Sequence, residues 1–279
     1  MKLIHIGIVA LCLLCSSLAS ADPQWRLVWS DEFDRDGLPD PGKWAYEEGF
    51  IRNHELQYYT RARKKNARVE NGALVIEAHK EKIENAGFDP AKRGDWRKAR
   101  RHGEYTSAAL VTLGKASWTY GRIEIRAKLP TGRGLWPALW MLGVNHKKVG
   151  WPACGEIDIM ENVGFDPDWV HGNVHTTKYN HVKRTNKGDK IEVPKPHEDF
   201  HVYAVEWRKD RIDFFVDGKK YFTFRNEGAG ADAWPFDKPH YLLMNIAVGG
   251  SWGGQKGVDP EAFPQRMVVD YVRVYEEAK

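Results

Sequence analysis

"YGRIEIRAKLP", residues 120–130, alternates Ile123, Ile125, Ala127 and Leu129 with Arg122, Glu124, Arg126 and Lys128. A period of two puts the apolar set on one face and the charged set on the other, as in a half-buried antiparallel strand. Reading outward, "RIDFFVDGKKYFTF" (211–224) is two such runs around Asp217-Gly218, a dipeptide suited to a two-residue hairpin turn. Further strand-like runs cover 27–33, 73–79, 106–113, 135–142, 170–176, 201–207, 241–248 and 267–275. Long amphipathic helical patterns are scarce. A dozen or so short strands with few helices between them predict an all-β sandwich, and their connections are too varied for a propeller repeat. No internal repeat or low-complexity linker divides the chain after residue 22, so residues 22–279 read as one domain.

The 279 residues carry 42 basic and 38 acidic side chains, a net charge of +4 with the signs interspersed, which is not the footprint of a nucleic-acid binder. The densest basic runs, "RARKKNAR" (61–68) and "KRGDWRKARRH" (92–102), are expected as solvated loops. The first 21 residues, "MKLIHIGIVALCLLCSSLASA", join a basic start to an apolar core and a small-residue end. They read as a secretory signal cleaved before Asp22, and the apolar run is too short to span a membrane. Leu14 before Cys15 disfavours a lipoprotein anchor, so a secreted or periplasmic protein is expected. Beyond that segment only Cys154 remains, expected as a buried structural thiol.

"GEIDIMENVG" (155–164) sets Glu156, Asp158 and Glu161 among apolar residues. On a regular strand Glu156 and Asp158 share a face, while Glu161 has the opposite parity. One extra residue, a β-bulge around Ile159–Met160, would bring it back. Glu156 and Glu161 would then be four steps apart, about 13 Å between Cα atoms, with their carboxyls able to approach to about 5–5.5 Å. That separation fits a retaining glycosidase. A divalent-cation site and a salt-bridged structural strand are the rival readings, and calcium would want more oxygen ligands from a less apolar segment.

Trp136 and Trp140 of "GRGLWPALWML" (132–142) share a face just before the acidic strand, and Trp252 lies in the Gly-rich "GGSWGG" (249–254), where an exposed indole is expected. A tryptophan stripe is commonly core, but beside three same-face carboxyls it also reads as a platform for sugar rings. "HGNVHTTKYN" (171–180) adds Asn173 and His175 on one face of another strand.

These segments, with "WSDEFD" (29–34), "NHELQYYT" (53–60), "YTSA" (105–108), "NIAVGGSWGG" (245–254) and "FPQRMVVDYVRVY" (263–275), resemble glycoside hydrolase family 16, most closely its laminarinase-like endo-β-1,3-glucanases. The resemblance implies a concanavalin-like jelly roll of two curved antiparallel sheets with a substrate cleft on the concave face. It implies Glu156 as nucleophile, Asp158 as its proton partner and Glu161 as acid/base. It also puts Asn53, Trp136, Trp140, Asn173, His175, Asn245 and Trp252 in or near the cleft. No cofactor is required for catalysis. Many members carry one structural calcium on the convex side, and that pattern places its ligands near Glu32, Gly72 and Asp270, mostly through main-chain oxygens.

The expected partner is a polysaccharide, with the protein a monomer; β-1,3-glucan leads, and mixed-linkage glucan, an agarose- or carrageenan-type galactan, or non-catalytic glucan binding are the alternatives. Two departures bear on the substrate. "YTSAAL" has Ala109 where the family commonly has Arg, and segment 87–108 is longer than usual, able to reshape a cleft edge.

Overall fold

The structure is a computed structural model that describes residues 24–278; the segment 1–21, expected as a secretory signal, lies outside the described residues. Its strands are β1 (Trp25–Asp31), β2 (Ala45–Glu47), β3 (Gln57–Tyr59), β4 (Ala67–Glu70), β5 (Ala73–Glu84) and β6 (His102–Ser107). Next come β7 (Ala109–Val111), β8 (Gly121–Lys128), β9 (Leu135–Gly143), β10 (Glu156–Val163), β11 (Asp166–His175) and β12 (Lys187–Glu192). The last five are β13 (His201–Trp207), β14 (Arg211–Val216), β15 (Lys219–Arg225), β16 (His240–Val248) and β17 (Gln265–Glu277). Only single helical turns interrupt them among the described residues, and no helix there is long and apolar enough to cross a membrane.

The strands form two sheets. One runs β15-β14-β13-β8-β17-β5-β6-β3, with β1 added on β17 and β4 on β5; the other runs β12-β11-β10-β9-β16-β7-β2. Pairing is antiparallel except between β3 and β6. β8 shows the alternation its sequence predicts: Ile123, Ile125 and Ala127 are buried between the sheets, while Arg122 and Glu124 pair on the outer face. The hairpin also forms as expected, with Asp217 and Gly218 both at positive φ (49° and 76°), the conformation a type I′ turn demands.

The run predicted as one strand over 106–113 is two. β6 ends at Ser107 in the larger sheet, and β7 begins at Ala109 in the smaller. The chain crosses between sheets at Ala108, which has no exposed surface. Both flanks are apolar and β-prone, so local pattern cannot mark the switch. Four strands, β2, β3, β4 and β12, fall outside the predicted runs; five of the six residues of β12 are charged or Gly, Ile191 being the other, and it forms by pairing with β11.

β9 and β16 are buried on both faces. Leu135, Leu139 and Met141 of β9 face the inter-sheet core, whereas Ala138, Trp140 and Leu142 join a separate cluster on the far side, with Tyr241 and Leu243. That second face carries the cleft. Of the two basic runs, 61–68 is largely paired rather than free, with Arg63 and Lys65 on Glu81 and Arg68 on Glu70 and Glu77. The run 92–102 packs against the cleft wall.

Candidate active site

The parity problem of the acidic strand is solved by a bulge. Opposite β9, Glu156 pairs with Leu142 and Asp158 with Trp140, then Met160 with Leu139 and Glu161 with Ala138. Two residues of β10 therefore match one step of β9, and Ile159 is the extra residue. Against β11, Asp158 faces Asn173 and Glu161 faces His171, again three residues against two. Glu156, Asp158 and Glu161 thus stand opposite Leu142, Trp140 and Ala138, which share the cleft face. Ile157 and Ile159 fill the core on the other side.

The three carboxyls line a cleft of about 620 Å³ together with Asn53, Trp136, Trp140 and Asn245. Each has its own neighbours. Trp151 Nε1 donates to Glu156 Oε2 at 3.0 Å. Trp136 Nε1 donates to Glu161 Oε1 at 3.0 Å, and Asn173 Nδ2 to Glu161 Oε2 at 3.3 Å. His175 Nε2 lies 3.3 Å from Asp158 Oδ2 and 3.8 Å from Glu156 Oε1. It is too poorly aligned on Asp158 to make a hydrogen bond, so the buried Oδ2 has no partner.

Burial first, then the charge of Asp158, pushes Glu156 up to about 8, with His175 and Arg52 acting the other way. Burial alone raises Asp158. Glu161 is raised by burial and by Asp158, against His175 and the two donors Trp136 and Asn173. The set therefore holds protons at neutral pH that separated carboxyls would have lost. Glu156, Asp158 and His175 also offer ligand atoms within 4.8 Å of one another, the one such group among the described residues. Its geometry suits proton sharing as well as cation binding.

The tryptophans divide. Trp136 is half-buried and packs edge-on against Trp252 at 5.5 Å, and Trp252 packs against His171 at 5.0 Å. Trp252, expected exposed, is half-buried because these two rings hold it. Trp140 is only 6% exposed, and the Arg52 guanidinium lies over its ring at 5.0 Å, so that face is closed to a sugar. Its indole N–H donates to Asn245 Oδ1, and Asn245 Nδ2 donates to the Tyr59 hydroxyl. Asn245 is thereby committed to fixing Trp140. Asn53, at φ 55°, donates to Glu55 Oε1 at 3.2 Å. Asn173, His175 and Trp252 reach the cleft through the residues they touch.

Sequence reasoning missed Arg52 and Trp151. Arg52 is clamped by Glu47 through both carboxylate oxygens. Ala109 stands opposite both Glu47 and Asn245 in the ladder, so a guanidinium occupies the wall beside the position where the family pattern has one. Its clamp partner Glu47 is only five residues upstream, but its place over the Trp140 ring depends on β9, remote in sequence. Trp151 was legible as an aromatic next to the acidic strand, but its contact with Glu156 depends on the turn between them.

Glu32, Gly72 and Asp270 sit together on the larger sheet, where β1, the β4–β5 turn and β17 are neighbours. Both carboxylates pair with arginines: Arg273 with Glu32 at 2.8 Å and Arg126 with Asp270 at 2.6 Å. Arg273 engages both oxygens of Glu32, whereas Arg126 takes only Oδ2 of Asp270, so a calcium ion here would draw on main-chain carbonyls and on the other Asp270 oxygen. Cys154 is fully buried and its thiol is pushed up to about 12, first by burial and then by Glu156, as fits a structural thiol.

Comparison with known proteins places this architecture. Residues 54–273 match the model of glycosyl hydrolases family 16, and the chain belongs to that family. It is 55% identical over 277 residues to the β-glucanase of Rhodothermus marinus, covering 96% of this chain and 91% of that protein. The crystal structure of the laminarinase from Rhodothermus marinus superimposes with a TM-score of 0.84 at 56% identity, over 92% of this chain and 99% of that one. SCLam, a non-specific endo-β-1,3(4)-glucanase, matches with a TM-score of 0.81 at 46% identity, over 92% and 95%. The protein is a glycoside hydrolase with the jelly-roll fold of this family.

Proposed function

We propose that the protein is an exported endo-acting β-1,3-glucanase that cleaves with retention of configuration. The observation that carries this is the bulge at Ile159, which aligns Glu156, Asp158 and Glu161 along one cleft, each with a different neighbour. Glu156, as the carboxylate, attacks the anomeric carbon while Glu161 passes its proton to the leaving glycosidic oxygen. The C1–O bond breaks and a glycosyl ester on Glu156 forms. Glu161, now ionised, takes a proton from water, whose oxygen attacks C1 and releases Glu156. Asp158, with an unpartnered buried oxygen beside His175, holds the proton that cannot rest on an ionised Glu156, and so lets the nucleophile charge in a crowded site. The order of the two Glu roles follows the family resemblance.

The β-1,3 linkage is supported by the laminarinase relative, and a broader β-1,3(4) tolerance by SCLam. The chemistry uses carboxyls alone, and calcium, if bound near Glu32, Gly72 and Asp270 through carbonyls, would brace the fold. The test is reducing-sugar release from laminarin, barley mixed-linkage glucan, agarose and carrageenan, with the first-formed anomer read by NMR. Laminarin turnover giving the β-anomer is expected. Galactan cleavage without laminarin cleavage, or an α-anomer product, would overturn the assignment.

A further inference from the structure

The long segment 85–101 between β5 and β6 is a docked element rather than a loose loop. Asn85, 7% exposed, donates through Nδ2 to the carbonyls of Arg97 and Arg100, both at 2.7 Å, and Asp89 N–H donates to the Lys98 carbonyl. Trp96 packs on His54 with ring centroids 4.8 Å apart and on Phe50 at 6.1 Å. Arg100 lies over both Trp96 and Phe50 at 5.2 Å and donates to the Glu55 carbonyl at 3.1 Å. These contacts fasten the segment to the stretch that carries Arg52, Asn53 and Glu55.

From this base Arg97 projects into the cleft, which it lines beside Ile51 and Asn53. Its Nε donates to Asp95 Oδ1 at 3.0 Å and its Nη1 to the Ile51 carbonyl at 3.3 Å. Those bonds fix the plane of a guanidinium that is still half exposed. A guanidinium has five N–H donors in a rigid fork, so the remaining ones are available to an acceptor in the cleft. Asn53 also lines a second hollow of about 570 Å³, together with His54, Leu56 and the glycine turn at Gly249–Gly250. A chain leaving the cleft past Asn53 would have this hollow to enter, and Arg97 lines the cleft beside Ile51 and Asn53.

We infer that segment 85–101 is a substrate-binding wall and that Arg97 is a specificity-determining residue, donating to the hydroxyl oxygens of a glucosyl unit at the Asn53 end of the cleft. The inference rests on the glucan reading above. A contact remote from the reacting bond is made equally in the ground and transition states, so it acts on KM and only on oligosaccharides long enough to reach it.

The experiment compares wild type with Arg97→Ala and Arg97→Lys on β-1,3-gluco-oligosaccharides lengthened one unit at a time, starting from the shortest that wild type cleaves. For the longer oligosaccharides Arg97→Ala is expected to raise KM by about tenfold, the worth of one charged hydrogen bond, with kcat unchanged. The shortest substrate should show no change, and Arg97→Lys should recover part of the loss. An equal effect at every length, or none at any, would overturn the role of Arg97 while leaving the glucanase reading in place. A wild type that cleaves none of the series would overturn the glucan reading itself.

Discussion

Trp136 on β9 donates its indole N–H to Glu161 Oε1 on the adjacent β10 across 3.0 Å. A donor to a carboxylate favours its ionised form. Trp136→Phe keeps an aromatic ring, though a smaller one, and removes the donor, so Glu161 should hold its proton to higher pH. The alkaline limb of kcat/KM is expected to move upward, with a loss of up to about tenfold in kcat from the missing bond. An unmoved limb in a pH–rate profile would separate this contact from the chemistry.

The two Glu roles can be distinguished chemically. Glu156→Ala and Glu161→Ala should each lose at least about a hundredfold in turnover, with thermal melts close to wild type. Added azide should rescue the two differently: Glu156→Ala gives the α-glycosyl azide by direct displacement, whereas Glu161→Ala gives the β-azide through the ester on Glu156. Identification of the azide anomer by NMR checks the assignment, and the reverse pattern would exchange the roles.

Stability should also report the crowded carboxyls. Burial holds Glu156, Asp158 and Glu161 up to about 8, with repulsion from Asp158 adding to it at the two Glu, against about 4 in an unfolded chain. Between those limits the folded state binds more protons than the unfolded one. Their contribution is therefore complete below about pH 4 and is lost as pH rises through about 8. Asp158→Asn removes part of this penalty, and should melt at least about 2 °C above wild type at high pH, with the difference closing in acid. Parallel melting curves for the two proteins across pH would contradict this.

Chelation distinguishes proton sharing from metal binding at Glu156, Asp158 and His175. Treatment with EDTA is expected to leave kcat unchanged on laminarin. A fall in melting temperature without loss of kcat would reveal a structural cation, whereas loss of turnover restored by a divalent ion would assign the cluster to a metal.

Cys154 should be inert. With its thiol buried and raised to about 12, a thiol-alkylating reagent at mildly alkaline pH is expected to spare activity and to label the protein only after denaturation. Rapid labelling of the native protein, read by mass spectrometry, would show that the site opens.

Much of this protein is legible locally. Alternation in β8 and the Asp217-Gly218 hairpin follow from backbone geometry and the burial of one face, which depend on near neighbours. The bulge was legible for a related reason: parity is a counting property, and Glu161 could share a face with Asp158 only through one extra residue. Other features needed partners remote in sequence. The charged run around Arg97 reads as solvent-facing until Trp96 meets His54 and Phe50. Trp136 and Trp140 are indistinguishable by spacing, yet Arg52 closes the ring of one while the other holds Glu161. The sequence by itself determined the strand periodicity and the row of carboxyls, because both are set by steps along one chain. Tertiary structure decided which indole bonds Glu161 and which is covered by Arg52, where the chain changes sheets and which segment walls the groove, because those outcomes depend on which distant side chains take up each hydrogen bond and each ring face.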